Sequence, residues 1–270
     1  MNSVLPNNSF YSLNRGKHLS ETFSLPKNEA TIYVSTHLEL GDSDLPHFHD
    51  EPHLSFVLNG GMIDKRKSVE AERVSGELMF FHAGEPHRTI SKIFPTKYVS
   101  LQFHKDFFRQ NPNLEAALKI SVEKTLEAKF SVLKIYKELA VNDEFSANSI
   151  EMLLLNLINE KTANKNRPHW INKIIEILND RWDEEISLND LANVTQVHPK
   201  TISKYFPRYF NCTLGEYRRK IKIEKSLSLI KSSKLSLTEI AYECGFYDQS
   251  HFTGAFKQLT GFRPKEFQKI

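Results

Sequence analysis

Residues 235–264 read LSLTEIAYECGFYDQSHFTGAFKQLTGFRP, and the rest of the chain is arranged around them. Ser236 followed three residues later by Glu239 is a capping-box pair, so a helix starts near Leu237. Ile240, Ala241 and Cys244 recur at helical spacing and give that helix an apolar face. Gly245 can adopt the left-handed conformation that turns the chain sharply. The carboxylate of Asp248 suits the positive end of a second helix, whose buried stripe is Phe252, Ala255, Phe256 and Leu259. Gln249, Ser250, His251, Thr253 and Lys257 remain outside. This is a helix-turn-helix whose outer face carries the hydrogen-bonding groups needed to meet base edges and phosphates.

A second unit of the same kind lies upstream, in ISLNDLANVTQVHPKTISKYF at 186–206. Ser187 and Asp190 start its first helix, and Leu191-Ala192 and Val197 match Ile240-Ala241 and Phe246. Pro199 sits at a first helical position, where proline is favoured. Ile202 and Phe206 point inward, which leaves Lys200, Ser203 and Lys204 exposed. Gln196 stands where the later unit has its turn glycine, and Pro207 should end or kink the helix it follows. Between the units, LGEYRRKIKIEKSLSLIKSS is a long helix with Leu214, Tyr217, Ile221, Leu227 and Ile230 inward. Arg218, Arg219, Lys220, Lys222 and Lys225 surround that face.

Ala241, Gly245-Phe246, the run Asp248 to Phe252, Ala255-Phe256-Lys257, Gly261 and Pro264 follow in an order and spacing that resembles the signature of AraC/XylS-type bacterial transcription regulators. With the upstream helices the resemblance covers roughly the last hundred residues. It implies two recognition helices entering successive major-groove segments of double-stranded DNA, roughly 34 Å apart. Gln249 then suits an adenine edge, and Ser250 and His251 suit base or phosphate. Lys200, Lys204 and Lys257 suit phosphate or guanine, with Ser203, Thr253, Arg218 and Arg219 completing the candidate DNA-contacting set. Gly254 departs from the pattern, which usually has Arg or another long polar residue there.

At 270 residues, with 40% hydrophobic and 26% charged side chains, the chain has the make-up of a soluble protein of two ordinary domains. Cys212 and Cys244 are too few and too distant to form a disulfide framework, so free thiols in a reducing cytoplasm are expected. Neither a signal peptide nor a run of membrane-spanning length is visible, and no membrane partner is expected. The net charge of +3 is unevenly spread: from Arg167 onward there are 17 Lys/Arg against 12 Asp/Glu. Ten basic and only two acidic residues lie between His198 and Lys234, beside the helix-turn-helix patterns, which points to a polyanionic partner.

The first half has another character. Residues 1 to about 30 read as an irregular polar lead-in; from Thr31, TIYVSTHLEL, HLSFVLNGG, ELMFFHAG and KYVSLQFH alternate like strands between turn signals. Several short strands of this kind suggest a small antiparallel barrel or sandwich. Gly41, His47, His49, His53 and Gly60, then Gly76, His82, Gly84 and His87, resemble the paired motifs of cupin barrels. His53 stands where the motif has Glu, and His82 where Pro is usual. The resemblance implies a barrel whose motif histidines point inward, with His47 and His49 alternating on one strand face. His47, His49, His53, Phe56, His82 and His87 are therefore the candidate ligand-binding residues, with Leu58 and Phe80 sharing their faces. A small organic effector is the favoured occupant and no cofactor is required. The alternative is a divalent metal on His47, His49, His53 and His87, since imidazole suits Zn, Fe, Ni or Cu.

Residues 114–161 are helical in pattern, and an apolar stripe in SANSIEMLLLNLINEKT can dimerise the chain or pack on its own barrel. KTANKNRP, at 161–168, reads as a linker. The expected fold class is thus α+β in two domains. Residues 1–160 make a cupin-like sensor and dimerisation barrel with trailing helices, and 169–270 an all-α domain with two helix-turn-helix units. The expected function is ligand-responsive, sequence-specific DNA binding as a homodimer, with RNA polymerase a further candidate partner. A metal-dependent cupin enzyme fused to a DNA-binding module is the alternative.

Overall fold

The computed structural model describes residues 11–12, 18–24, 30–38, 46–67, 69–104, 107–108, 114–158 and 167–270. The chain divides into two compact units, the first ending at Asn159 and the second running from Glu160 to Lys269. Residues 161–166 of the expected linker lie outside the described residues.

Among its described residues the first unit has seven antiparallel strands: β1 (Tyr11–Ser12), β2 (His18–Ser24), β3 (Ala30–His37), β4 (His53–Arg66), β5 (Val69–Val74), β6 (Leu78–Phe81) and β7 (His87–Phe103). They are ordered β1-β2-β3-β7-β4-β5, with β6 paired to the start of β4. The lead-in expected to be irregular thus contributes two strands, β2 pairing with β3 from His18↔His37 to Ser24↔Thr31.

β4 and β7 pair from His53↔Gln102 to Arg66↔His87, so His53 and His87 stand at opposite ends of one ribbon. Laid out flat, a fourteen-residue strand spans about 45 Å at roughly 3.3 Å per residue. The two imidazole rings are nevertheless 5.5 Å apart. The ribbon is therefore rolled on itself into a barrel, as the motif spacing predicts. Register shifts between Val57 and Met62 provide the bend. Gly60, at φ +79°, makes it possible: a Cβ there would lie 2.4 Å from the Ile93 carbonyl oxygen.

Among the described residues, α1 (Leu114–Lys124), α2 (Glu127–Val141) and α3 (Ser146–Ile158) follow. α2 and α3 pack together, and Phe130, Leu133, Ile150 and Leu154 on them are buried. Met152 and Leu155 of the same apolar stretch are exposed.

The second unit comprises α4 (His169–Asp180), α5 (Leu188–Thr195), α6 (Pro199–Tyr205), α7 (Pro207–Phe210), α8 (Leu214–Ser232), α9 (Leu237–Glu243), α10 (Gln249–Thr260) and α11 (Pro264–Gln268). The expected caps form. Ser187 with Asp190 and Ser236 with Glu239 make reciprocal capping boxes, and Asp248 accepts the amide of His251 at 2.7 Å. Gln196 takes the left-handed turn at φ 55° despite carrying a side chain, and Pro207 starts a new helix where the preceding one stops.

Candidate effector cavity and nucleic-acid interface

The rolled strands enclose a cavity of about 490 Å³ lined by Tyr33, Ser35, His47, His49, His53, Ser55, Met62, Phe81, His87, Thr89, Tyr98, Ser100 and Gln102. Four of the six expected ligand-binding residues, His47, His49, His53 and His87, line it. Phe56 and His82 do not, and both correct the sequence reading. On β4 the cavity face follows the alternation of His53, so Ser55 shares it and fully buried Phe56 faces away. On β6, Phe81 faces the cavity, and Leu58 and Phe80, which were grouped with the histidines, are likewise absent from its lining. His82 follows the strand; its Nδ1 lies 2.7 Å from Glu115 Oε1 and its Nε2 3.2 Å from Lys119 Nζ, both on α1.

Nor do His47 and His49 alternate along a strand. They belong to a connecting segment, where His47 forms an isolated antiparallel bridge with His87, each amide donating to the other's carbonyl at 2.9 Å. The Gly84 amide donates to the His49 carbonyl at 2.7 Å, so the segment is tied to the turn after β6. These bonds hold the ring nitrogens of His47, His49 and His87 within 4.8 Å of one another. His53 stands beside the cluster: its ring is 4.3 Å from His49 and stacks on Phe81 at 4.5 Å, nearly parallel. Phe81 also meets the Arg66 guanidinium, 4.0 Å from its ring centre and itself held bidentate by buried Asp64.

Burial, reinforced by the neighbouring imidazoles, favours the neutral form of His49, His53 and His87. It pulls His49 down to about 4 and His53 to about 2, and it lowers His87 as well. The His53 Nδ1 is buried without a hydrogen-bond partner. The residues missed from sequence are mainly the hydroxyls and amide of β3, β4 and β7; counting by two from His53 and from His87 reaches Ser55 and Thr89.

In the second unit, Lys200, Ser203 and Lys204 are exposed along α6, as are Gln249, Ser250, His251 and Lys257 along α10, with Thr253 partly so. Thr238 on α9 donates to Gln249 Oε1 at 2.7 Å, leaving the amide nitrogen of Gln249 outward-facing chemistry to offer. Tyr247, at 87% exposure just before α10, is an aromatic surface that the sequence reading passed over. Arg218 serves within the unit: its guanidinium donates to the carbonyls of Glu184 and Ile186 at 2.9 and 3.0 Å. Arg219, partly exposed, lines a groove with His251 and Tyr247.

Residues 191–270 match a family model described as a helix-turn-helix domain. The Msm operon regulatory protein of Streptococcus mutans is 26% identical over 136 residues, covering 48% of this chain and 49% of that protein. An uncharacterized HTH-type transcriptional regulator of Bacillus subtilis, YdeC, is 22% identical over 256 residues, 83% of this chain and 86% of its own length. The chain spans about half or less of the length of several relatives it matches. Among solved structures, ToxT from Vibrio cholerae aligns over 89% of this chain and 98% of its own at 13% identity, with a TM-score of 0.38, too low for one fold to stand for the other. Among the described residues no helix is long and apolar enough to cross a membrane.

Proposed function

We propose that the chain, whose residues 191–270 match a helix-turn-helix domain, is a sequence-specific DNA-binding transcription regulator of the AraC/XylS type governed by a small molecule in its N-terminal cavity. The observation that carries this reading is the pair of exposed polar helix faces, Lys200–Lys204 on α6 and Gln249–Lys257 on α10, each set on a buried stripe and joined through α8. Nineteen helical residues make α8 a rod of about 28 Å that joins the two units. Residues 1–160 would form the sensor, 161–168 the linker and 169–270 the DNA-binding domain. Among the described residues the cavity is lined by imidazoles, hydroxyls, one amide and apolar side chains, which suits capture of a small polar molecule. Exposed Met152 and Leu155 on α3 favour a homodimer, with RNA polymerase as a partner at the promoter.

The test is binding of the full chain to DNA upstream of its own and neighbouring genes, scanned over salt. One fragment should be bound about a thousandfold or more above the rest. Weak, steeply salt-dependent binding to every fragment would overturn the reading.

A further inference from the structure

We propose that Thr238 on α9 sets the base choice of Gln249 at the start of α10, so that Gln249 reads guanine rather than the adenine its residue type alone suggests. The proposal rests on the reading of the chain as a DNA-binding regulator and deepens it to one base.

Gln249 is the first residue of α10 and is exposed, as are Ser250 and His251 after it. The first residues of a recognition helix are the ones that approach base edges in the major groove. A glutamine there has two halves to offer, a carbonyl that accepts and an amino group that donates twice. Adenine needs both halves, because its edge sets the N7 acceptor beside the N6 amino donor. Guanine needs only the donor half, because N7 and O6 both accept.

The fold has already committed one half. The Thr238 hydroxyl donates to Gln249 Oε1 at 2.7 Å, from one helix of the unit to the other. That bond joins two points that are held in place. The start of α9 is pinned by the reciprocal Ser236–Glu239 cap, and the start of α10 by Asp248, which accepts the His251 amide at 2.7 Å. The turn between them is closed by the Phe246 amide on the Ala241 carbonyl at 2.9 Å and by Lys222 on the Gly245 carbonyl at 2.8 Å. Gln249 is thus held with its amide oxygen on α9 and its amide nitrogen as the group left to donate.

Facing adenine, that nitrogen would meet the N6 amino group, donor against donor. Turning the amide over would break the Thr238 bond and leave a hydroxyl without its acceptor. Facing guanine, the nitrogen donates to O6 and N7 with the Thr238 bond intact. Thymine offers O4 alone, one acceptor where guanine has two. Both side chains are exposed in the free chain, and exclusion of water on docking strengthens the bond between them. The constraint therefore tightens where it is used. Thr238 is a positioning residue and Gln249 the one that touches the base.

The experiment uses the full chain and the upstream DNA fragment it binds most tightly, with every base pair of the bound site substituted in turn. One position should discriminate in the wild type and not in Gln249→Ala. It should carry guanine, preferred over adenine by about tenfold. 7-Deazaguanine there, which lacks the N7 acceptor, should weaken the wild type and leave Gln249→Ala unmoved. Thr238→Val should lose the preference for guanine over adenine, and Thr238→Ser, which keeps the hydroxyl, should retain it. Thr238→Val that weakens every duplex alike with the preference intact has a purely structural role, and overturns the proposal. So does a wild-type preference for adenine at the Gln249-dependent position, which would mean that the amide presents its oxygen. The wild-type and Gln249→Ala pair decides the guanine contact even where Thr238→Val does not fold. Specific binding with no Gln249-dependent guanine removes the base assignment and leaves the regulator standing; no specific binding to any fragment removes both.

Discussion

Lys222 on α8 donates from Nζ to the carbonyl oxygen of Gly245, 2.8 Å away, at the turn between the two helices of the second helix-turn-helix unit. One helical turn earlier, Arg218 donates to the carbonyls of Glu184 and Ile186, just before the first helix of the other unit. Two cations four residues apart on one helix thus each tie down the entrance or the turn of one unit. Both act on carbonyls that a turn or loop leaves without a helical partner.

Replacing Lys222 by Met keeps the stem and removes the donor. Burial already lowers the pKa of this ammonium, with Arg218 adding to the effect, so the bond is made in partly desolvated surroundings. The variant should lose about 1.5 kcal/mol in urea unfolding of the C-terminal unit. Specific DNA binding should weaken with it. Unchanged unfolding would mean that solvent replaces the bond at no cost.

Arg218 and the lysines on the recognition faces separate by salt dependence. A phosphate-contacting cation contributes about one unit to the slope of log K against log salt. Lys204→Ala and Lys257→Ala should each reduce that slope by about one. Arg218→Ala should lower thermal stability with the slope intact, because its guanidinium holds protein carbonyls. A reduced slope for Arg218→Ala would return it to the DNA-contacting set that the sequence suggests.

The sequence reading of the C-terminal unit succeeded because its signals are local. Ser236 with Glu239, Ser187 with Asp190, and Asp248 cap their helices through bonds spanning three residues, so spacing alone predicts them. Pro207 likewise announces its own break. The barrel offers no such capping rule. Residues His53 to Leu58 are all buried, so exposure does not mark the cavity side; alternation from His53 does, placing Ser55 with it and Leu54, Phe56 and Leu58 on the other face. A choice one residue out of phase exchanges Ser55 for Phe56 and Phe81 for His82. The histidines on the connecting segment were placed correctly in the cavity for a different reason: motif spacing marked them, although the strand expected beneath them is absent. β5 and the first half of β7 are strongly polar, and their pairing with β4 decides their structure more than their own residues do.

That exchange of faces makes its own prediction. Phe56 is fully buried, so Phe56→Ala should cost about 3–5 kcal/mol in unfolding of the barrel. Ser55→Val, at the neighbouring position on the cavity side, should instead remove the hydroxyl that meets Ser100 at 3.0 Å and alter ligand capture with the fold retained. Comparable unfolding losses in both would erase the distinction between core and cavity faces.

The cysteines differ in reactivity for a physical reason. Burial pushes the Cys244 thiol up to about 12, and its side chain is inaccessible within α9's packing. At pH 8 about one molecule in ten thousand would carry the thiolate there. Iodoacetamide should therefore modify half-buried Cys212 in the native chain and Cys244 only after denaturation. Mass spectrometry of the labelled peptides reads this directly; early labelling of Cys244 would mean that the second unit opens far more readily than its packing implies.

Gly254 is the residue most open to improvement. It lies within α10, is exposed, and a Cβ built there meets nothing within 4 Å. Its backbone is ordinary helix, so the glycine supplies no turn and only raises the cost of ordering the chain. Gly254→Ala should stabilise the C-terminal unit by about 1 kcal/mol. Gly254 also falls four residues after Ser250 and three before Lys257, on the outward face of the same helix. Gly254→Arg should therefore add a phosphate contact as well as helix propensity. DNA binding should tighten, and the salt slope should rise by about one relative to Gly254→Ala. If Arg and Ala stabilise the helix equally yet bind DNA with the same slope, this face of α10 does not approach the phosphate backbone, and the docking inferred for the second unit must be turned about the helix axis.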